Sequence, residues 1–254
     1  IDPRENGNGG FWTPVSVTRR KGGEQGLFPH LSLDRAKPGL IAVDEFGRRF
    51  VNEADSYHDF VEAMLTRFSN HRQPAAWLIC DRDFIRKYGL GHIYPGTTAL
   101  KRYLDSGYLV HGAGPEALAA KLGIDGPTLS ETLARYNAHA ARGEDPDFRK
   151  GHSALNRFNG DPSVTPNPCV APIRTDELFA MEVRAAEIAC SAGLSTDEDA
   201  RVVNAQEQPI PGLYACGNDM ASVMADAYPG PGTTLGPAIV FAYRAVNAAA
   251  RSTA

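Results

Sequence analysis

The 254-residue chain has no surplus of positive charge: 26 Lys and Arg stand against 30 Asp and Glu, for a net charge of −4. That excludes the basic footprint with which a protein grips nucleic-acid phosphates. The one basic cluster, Thr18-Arg19-Arg20-Lys21, reads as a solvated turn. No run of about 18 apolar residues occurs, so no membrane-spanning helix is expected. The first ten residues carry no apolar segment and do not read as a signal peptide. Cysteine is sparse and scattered, at Cys80, Cys169, Cys190 and Cys216, with no C-x-x-C. Reduced, mostly buried thiols and a cytoplasmic location are the expectation. The seven histidines show no ligand spacing, so no metal site is expected. A serine hydrolase is disfavoured by the lack of a G-x-S-x-G elbow. There is no initiator methionine either, and the chain is expected to begin partway through a longer polypeptide.

What is present is ordinary core material, 43% hydrophobic and 22% charged. Residues 39–53 read as a hairpin: "GLIAV" as one strand, "DEFG" as the turn, "RRFVNE" as the return. A helix should follow, with Ser56 as N-cap and Phe60, Val61, Met64, Leu65 and Phe68 on one face. "AAWLICD" (75–81) reads as a buried strand and 82–89 as a short helix ended by Gly89. Another helix is predicted over 97–107. A helix pair follows, with Pro115 and Pro127 near its starts and Gly123 and Gly143 near its ends. Residues 159–172, dense in Pro, Asn and Asp, read as a crossing segment between domains. Beyond them come a strand over 178–186, a short buried strand over 212–216 and a final apolar helix. The division near residue 172 gives an α+β piece, then a strand–helix piece.

The stretch "AYPGPGTTLGPA" (227–238) has Gly230, Gly232 and Gly236 just ahead of that final helix. A dinucleotide fingerprint would be G-x-G-x-x-G after a first strand, with an acidic residue about 20 positions on. Here the spacing is one residue too long, prolines fill the x positions, and the chain ends too soon. Two other readings remain: a turn that needs glycine for its backbone, and a ligand loop whose N–H groups face an anion before a helix dipole.

"IPGLYACGNDMASVMADAYPGPGTTLGPAIVFAYRAVNAAA" resembles the C-terminal end of flavoproteins of the fumarate reductase/succinate dehydrogenase type, and within them the 3-ketosteroid 1-dehydrogenase-like branch. "GLIAVDEFGRRFVNEADSYHDF", "ARYNAHAARGEDPDFRKG" and "TDEDARVVN…PIPGLYACGN" are similar to further segments of that family, in order. The resemblance implies an α+β cap, or substrate, domain (mainly 1–172) plus the returning C-terminal part of an α/β FAD-binding domain (173–254). The family's N-terminal half, with its own G-x-G-x-x-G, is not in this sequence. The chain alone should therefore bind FAD weakly or not at all, and that half is the implied partner. Flavin contacts are implied at Gly217 and Asn218, and at backbone N–H groups around Leu235, Gly236 and Ala238; Pro237 has none to offer.

Two positions set the branch. Fumarate reductases carry a proton-delivering arginine where this sequence has Tyr57, and an Arg-Leu-Gly-Gly carboxylate clamp where it has Thr234-Leu235-Gly236-Pro237. The ketosteroid branch has tyrosines matching Tyr57 and Tyr228, and a glycine matching Gly232. What this implies is a small hydrophobic ketone held by the Tyr228 hydroxyl and the Gly232 N–H. Tyr57, as tyrosinate, takes the proton, and a hydride leaves for flavin N5. The ordinary tyrosine pKa of about 10 must fall, or a neighbour must accept the proton. His58, next in sequence, would be turned to another helix face. Asp219 and Asp226 read as capping or solvated residues, Cys216 as strand packing, and Asn52 and Glu53 as structural hydrogen-bonders. A related flavoenzyme with a non-steroid ketone, or a non-catalytic small-molecule-binding fragment, are the alternatives.

Overall fold

The computed structural model describes residues 9–19, 23–31, 34–69, 74–225 and 227–252. They fall into two compact units, one of residues 13–186 and one of residues 1–12 with 187–254. Asp226, Arg20 and Lys21 lie outside the described residues.

In chain order, the elements up to the end of the first unit are β1 (Gly10–Arg19), β2 (Gln25–Pro29), β3 (Leu40–Val43), α1 (Tyr57–Arg67), β4 (Ala75–Asp81), α2 (Arg82–Tyr88), α3 (Lys101–Asp105), β5 (Val110–Gly112), α4 (Pro115–Leu122), α5 (Gly126–Ala140), α6 (Ala154–Asn159) and β6 (Leu178–Cys190). The strands make one sheet in the order β2-β1-β6-β4-β3, with β5 also on β6. β3 and β4 run antiparallel, Leu40 opposite Cys80 through Val43 opposite Trp77. All four residues of β3 are buried, which is why "LIAV" reads as a continuous apolar run rather than an alternation. The helix pair α4 and α5 lays Leu118, Leu129 and Leu133 on Ile41, Val43 and Ile79. Asp125 starts α5 by accepting the Thr128 N–H at 2.9 Å, and Gly123 ends α4 in the left-handed conformation that glycine adopts without strain.

Several expectations change. The return strand over 48–53 does not form; of these residues only Arg49 bridges, to Val43. The Asp44 carboxylate folds the chain back by accepting the Phe46 and Arg48 N–H groups, both at 2.9 Å. The Ala42 N–H is then met by the Glu53 carboxylate at 3.0 Å rather than by a strand. The helix expected over 97–107 is only Lys101–Asp105. β6 runs on to Cys190, past the expected 186. Residues 159–172 pack into the core of the 13–186 unit through Cys169 and Val170.

The other unit holds the hairpin β7 (Arg201–Val203) and β8 (Pro209–Tyr214), a 3₁₀ turn at Gly217–Asp219, and α7 (Leu235–Ser252). Ahead of the hairpin, Leu194 makes a parallel bridge to Met220, donating to the Asp219 carbonyl at 2.9 Å and accepting from Ala221 at 3.0 Å, and Ser222 donates to the Ser191 carbonyl at 2.9 Å. Val202, Ala215 and Met220 form a small core against Phe241 of α7. The strand expected at 212–216 starts earlier and is mostly exposed, with Leu213 at 43%. A two-stranded ribbon has no second layer for its outer face, and burial begins only at Ala215. Of the four thiols, all free, Cys80 and Cys169 are buried, Cys216 is half-buried and Cys190 exposed.

Candidate cofactor and substrate site

The glycine loop winds straight into α7. Gly230 and Gly232 have φ of +154° and +99°, and the second is a value few side chains tolerate. Thr233, buried where sequence reasoning marked nothing, donates to the Gly230 carbonyl through both its N–H (3.3 Å) and its hydroxyl (2.5 Å). Gly236 then donates to Gly232 at 2.8 Å and Ala238 to Thr234 at 3.2 Å. These two N–H groups are therefore spent inside the helix, which refines the expectation that they face a ligand. The N–H groups of Gly232, Thr234 and Leu235 have no acceptor among the described residues. They stand at the positive end of an 18-residue helix, where backbone donors and dipole together favour negative charge.

Gly217 and Asn218 lie beside this helix start. A Cβ on Gly217, whose φ is +66°, would come within 3.7 Å of the Ala238 Cβ. A small hollow of about 20 Å³ is bounded by Phe11, Gly217, Asn218, Thr233 and Pro237. The outer cleft, about 560 Å³ and open to solvent, is lined by Met224, Pro229, Gly232, Val240 and Phe241 among others, none of them charged among the described residues. Tyr228 is half-buried and meets the Phe11 ring edge-on at 5.3 Å between centroids. Asp219 is exposed, and its carbonyl is the acceptor for Leu194.

In the 13–186 unit, Ser56 caps α1 by accepting the Asp59 N–H at 3.0 Å, as its sequence position predicts. Tyr57 is the first residue of α1 and half-buried, and His58 is buried. The hairpin end that precedes them is a packed polar core. The Asn52 side-chain amide donates to Oδ1 of Asn156 at 2.9 Å. Arg49 forks onto two carboxylates at once, Glu53 (2.9 and 2.8 Å) and Asp145 (2.7 and 3.0 Å), between the rings of Tyr136 and Phe148. Lys150, fully buried, reaches the Leu40 carbonyl at 2.7 Å and stands 3.5 Å from Glu53. No signal in the sequence announced the burial of Lys150 or of Arg35, since such residues are seldom buried unless paired.

Burial alone would raise the Glu53 pKa, but the charges of Arg49 and Lys150 outweigh it and hold the group down at about 2. Asp34 is similar: burial pushes up, while His30, at 2.6 Å, and Arg35 bring it to about 2. A carboxylate depressed in the folded state stabilises the fold fully above its unfolded pKa, and that contribution fades as pH falls through the folded value. Urea-unfolding midpoints should therefore hold from pH 7 to about 5 and drop steeply between about pH 4.5 and 2. Glu53→Gln should shallow that drop.

A family model described as an FAD binding domain matches residues 6–235, and the chain belongs to that family, whose cofactor is FAD. Among its relatives is a 4-oxocyclohex-2-ene-1-carboxylate 5-dehydrogenase of Sinomonas cyclohexanicum. The two are 41% identical over 242 residues, covering 95% of this chain and 41% of the relative. Another is a 3-oxosteroid 1-dehydrogenase of Mycobacterium tuberculosis, 36% identical over 84% of this chain and 38% of the relative. The chain thus spans about two-fifths of the length of these curated relatives. Among solved structures, a 3-ketosteroid delta1-dehydrogenase from Sterolibacterium denitrificans, complexed with 1,4-androstadiene-3,17-dione, matches 96% of the chain and 43% of its own. The TM-score is 0.87 at 39% identity. A flavocytochrome c3 fumarate reductase shares the fold, with a TM-score of 0.53 at 22% identity. The residues present fit the cofactor: three unspent N–H donors at a helix start, beside a glycine that lets backbone approach closely, suit the electron-rich edge of a flavin. Among the described residues no helix is long and apolar enough to cross a membrane.

Proposed function

We propose that the chain is part of a cytoplasmic FAD-dependent oxidoreductase that dehydrogenates a hydrophobic, 3-ketosteroid-like ketone to an enone. The 13–186 unit, rather than residues 1–172, is the cap, and the unit of residues 1–12 with 187–254 belongs to the FAD-binding domain. The observation that carries this reading is the set of unspent N–H groups of Gly232, Thr234 and Leu235 at the start of α7. Leu235 donates to the flavin, while Gly217, Asn218, Gly236 and Ala238 supply backbone that lets it come close. When bound, FAD supplies the acceptor for the hydride. The Tyr228 hydroxyl and the Gly232 N–H hold the ketone oxygen and stabilise the charge it gains as the adjacent C–H is deprotonated; one such donor can contribute roughly 3–4 kcal/mol. Tyr57, as tyrosinate, takes the proton. Among the described residues the cleft lining carries no charge, which favours a neutral ketone over a carboxylate that would call for a cation. A non-steroid cyclic ketone would use the same three residues; the substrate in the Sinomonas relative's name is such a ketone but also a carboxylate, for which the described cleft lining offers no cation.

One face of α7 supports a larger FAD domain. Leu235, Ile239, Tyr243 and Val246, spaced along one helix stripe, are between 63% and 72% exposed. The upstream half of the domain is the proposed cover. The deciding experiment is an absorbance titration of the 254-residue chain with FAD, with and without the upstream segment of the parent protein. A flavin spectrum with the longer protein supports the reading, and Tyr228→Phe should then keep the flavin but lower turnover of a 3-ketosteroid by about 10²-fold. No flavin binding by either form would leave a non-catalytic binding fragment.

A further inference from the structure

Arg35 is the largest side chain in the fully buried set, at 1% exposure. Its guanidinium donates only to backbone carbonyls among the described residues. Nε reaches His30 at 2.7 Å and Nη2 reaches Leu31 at 2.6 Å, while Nη1 reaches Glu53 at 2.7 Å and Asp55 at 3.3 Å. The same group lies 4.8 Å over the centre of the Phe60 ring. Burying a cation without a directly paired carboxylate costs stability. The charges of Asp34, Asp55, Glu53 and Asp59 offset part of it through space.

The places this cation touches bracket one residue. Glu53 and Asp55 lie just before Tyr57 in the chain, and Phe60 lies one turn further along α1. The guanidinium thus ties the backbone on one side of Tyr57, and a ring on the other, to the 30–31 segment. A neutral apolar side chain could fill the same volume, but it could not hold four carbonyls in one plane. We propose that Arg35 is a positioning residue for Tyr57, fixing the 53–60 backbone so that the phenol points at the proton it removes. This rests on the reading of Tyr57 as the proton acceptor.

Arg35→Lys keeps the charge and loses the planar fork. In the FAD-loaded protein it should lower kcat about 100-fold, the scale of a 1 Å misplacement, with KM nearly unchanged. In the chain labelled with ¹³C at tyrosine Cζ, the Tyr57 resonance, identified by its loss in Tyr57→Phe, should shift, while that of Tyr94 stays. A folded Arg35→Lys with normal kcat and an unmoved Tyr57 resonance overturns the proposal. If Arg35→Lys does not fold, Phe60→Leu removes the ring beneath the guanidinium and keeps its hydrogen bonds. A smaller Tyr57 shift supports the proposal, and none overturns it. Should Tyr57→Phe keep full turnover, the proton-acceptor reading fails. The resonance alone then decides whether Arg35 positions that side chain.

Discussion

Tyr57→Phe should abolish most turnover of a 3-ketosteroid by the FAD-loaded protein while leaving its flavin spectrum and substrate affinity in place. A positioned acid–base group contributes typically 10²–10⁴-fold, and the phenol oxygen is what the substitution removes. The rest of the side chain stays. Ser56 still caps the helix, and the Phe60 ring still lies under Arg35. The fold should therefore be unaffected, and a drop in kcat can be read as lost chemistry rather than lost structure. Stopped-flow measurement of flavin reduction checks it directly. A variant that reduces its flavin at the normal rate would transfer the proton-accepting role elsewhere.

Arg49→Met should be the most damaging single change to stability outside the chemistry. Among the described residues Arg49 is the one side chain that meets both Glu53 and Asp145, and removing it leaves Glu53 with the Ala42 N–H and Lys150 Nζ, and Asp145 with the Lys150 backbone N–H. Breaking a buried pair in this way costs about 3–5 kcal/mol, against a typical total of about 5–15. Urea unfolding followed by the fluorescence of Trp77, which lies in β4, reads the loss. Adding Glu53→Gln to the variant should restore part of it, because one of the stranded charges is then gone. A loss below about 1 kcal/mol would place the group among the surface pairs, which are worth that little.

Much of this architecture could be read from residue pattern. The Ser56 cap, the strand over 75–81 and the proline-led helix pair are local signals, and each forms where it is expected. The failures share a cause. The return strand over 48–53 has a strand's apolar content, but Arg49 gains more from the Glu53 and Asp145 carboxylates than from a ladder. The burial of Arg35 and Lys150 depends on carbonyls and carboxylates far along the chain, which no local period encodes. At the glycine loop, spacing already argued against a pyrophosphate site. Which N–H groups stay unspent was not legible, because it depends on where the first turn of α7 closes.

The chain enters the 13–186 unit through β1 and leaves it through β6, which are neighbours in one sheet. Its two ends are therefore side by side, and the unit is topologically an insertion, spliced into the other unit at a single place. Such a module can be excised, or exchanged for a different one, without rethreading the rest of the protein. The surroundings of Tyr57 could thus be changed wholesale while the helix start at Leu235 and the backbone around it stay untouched.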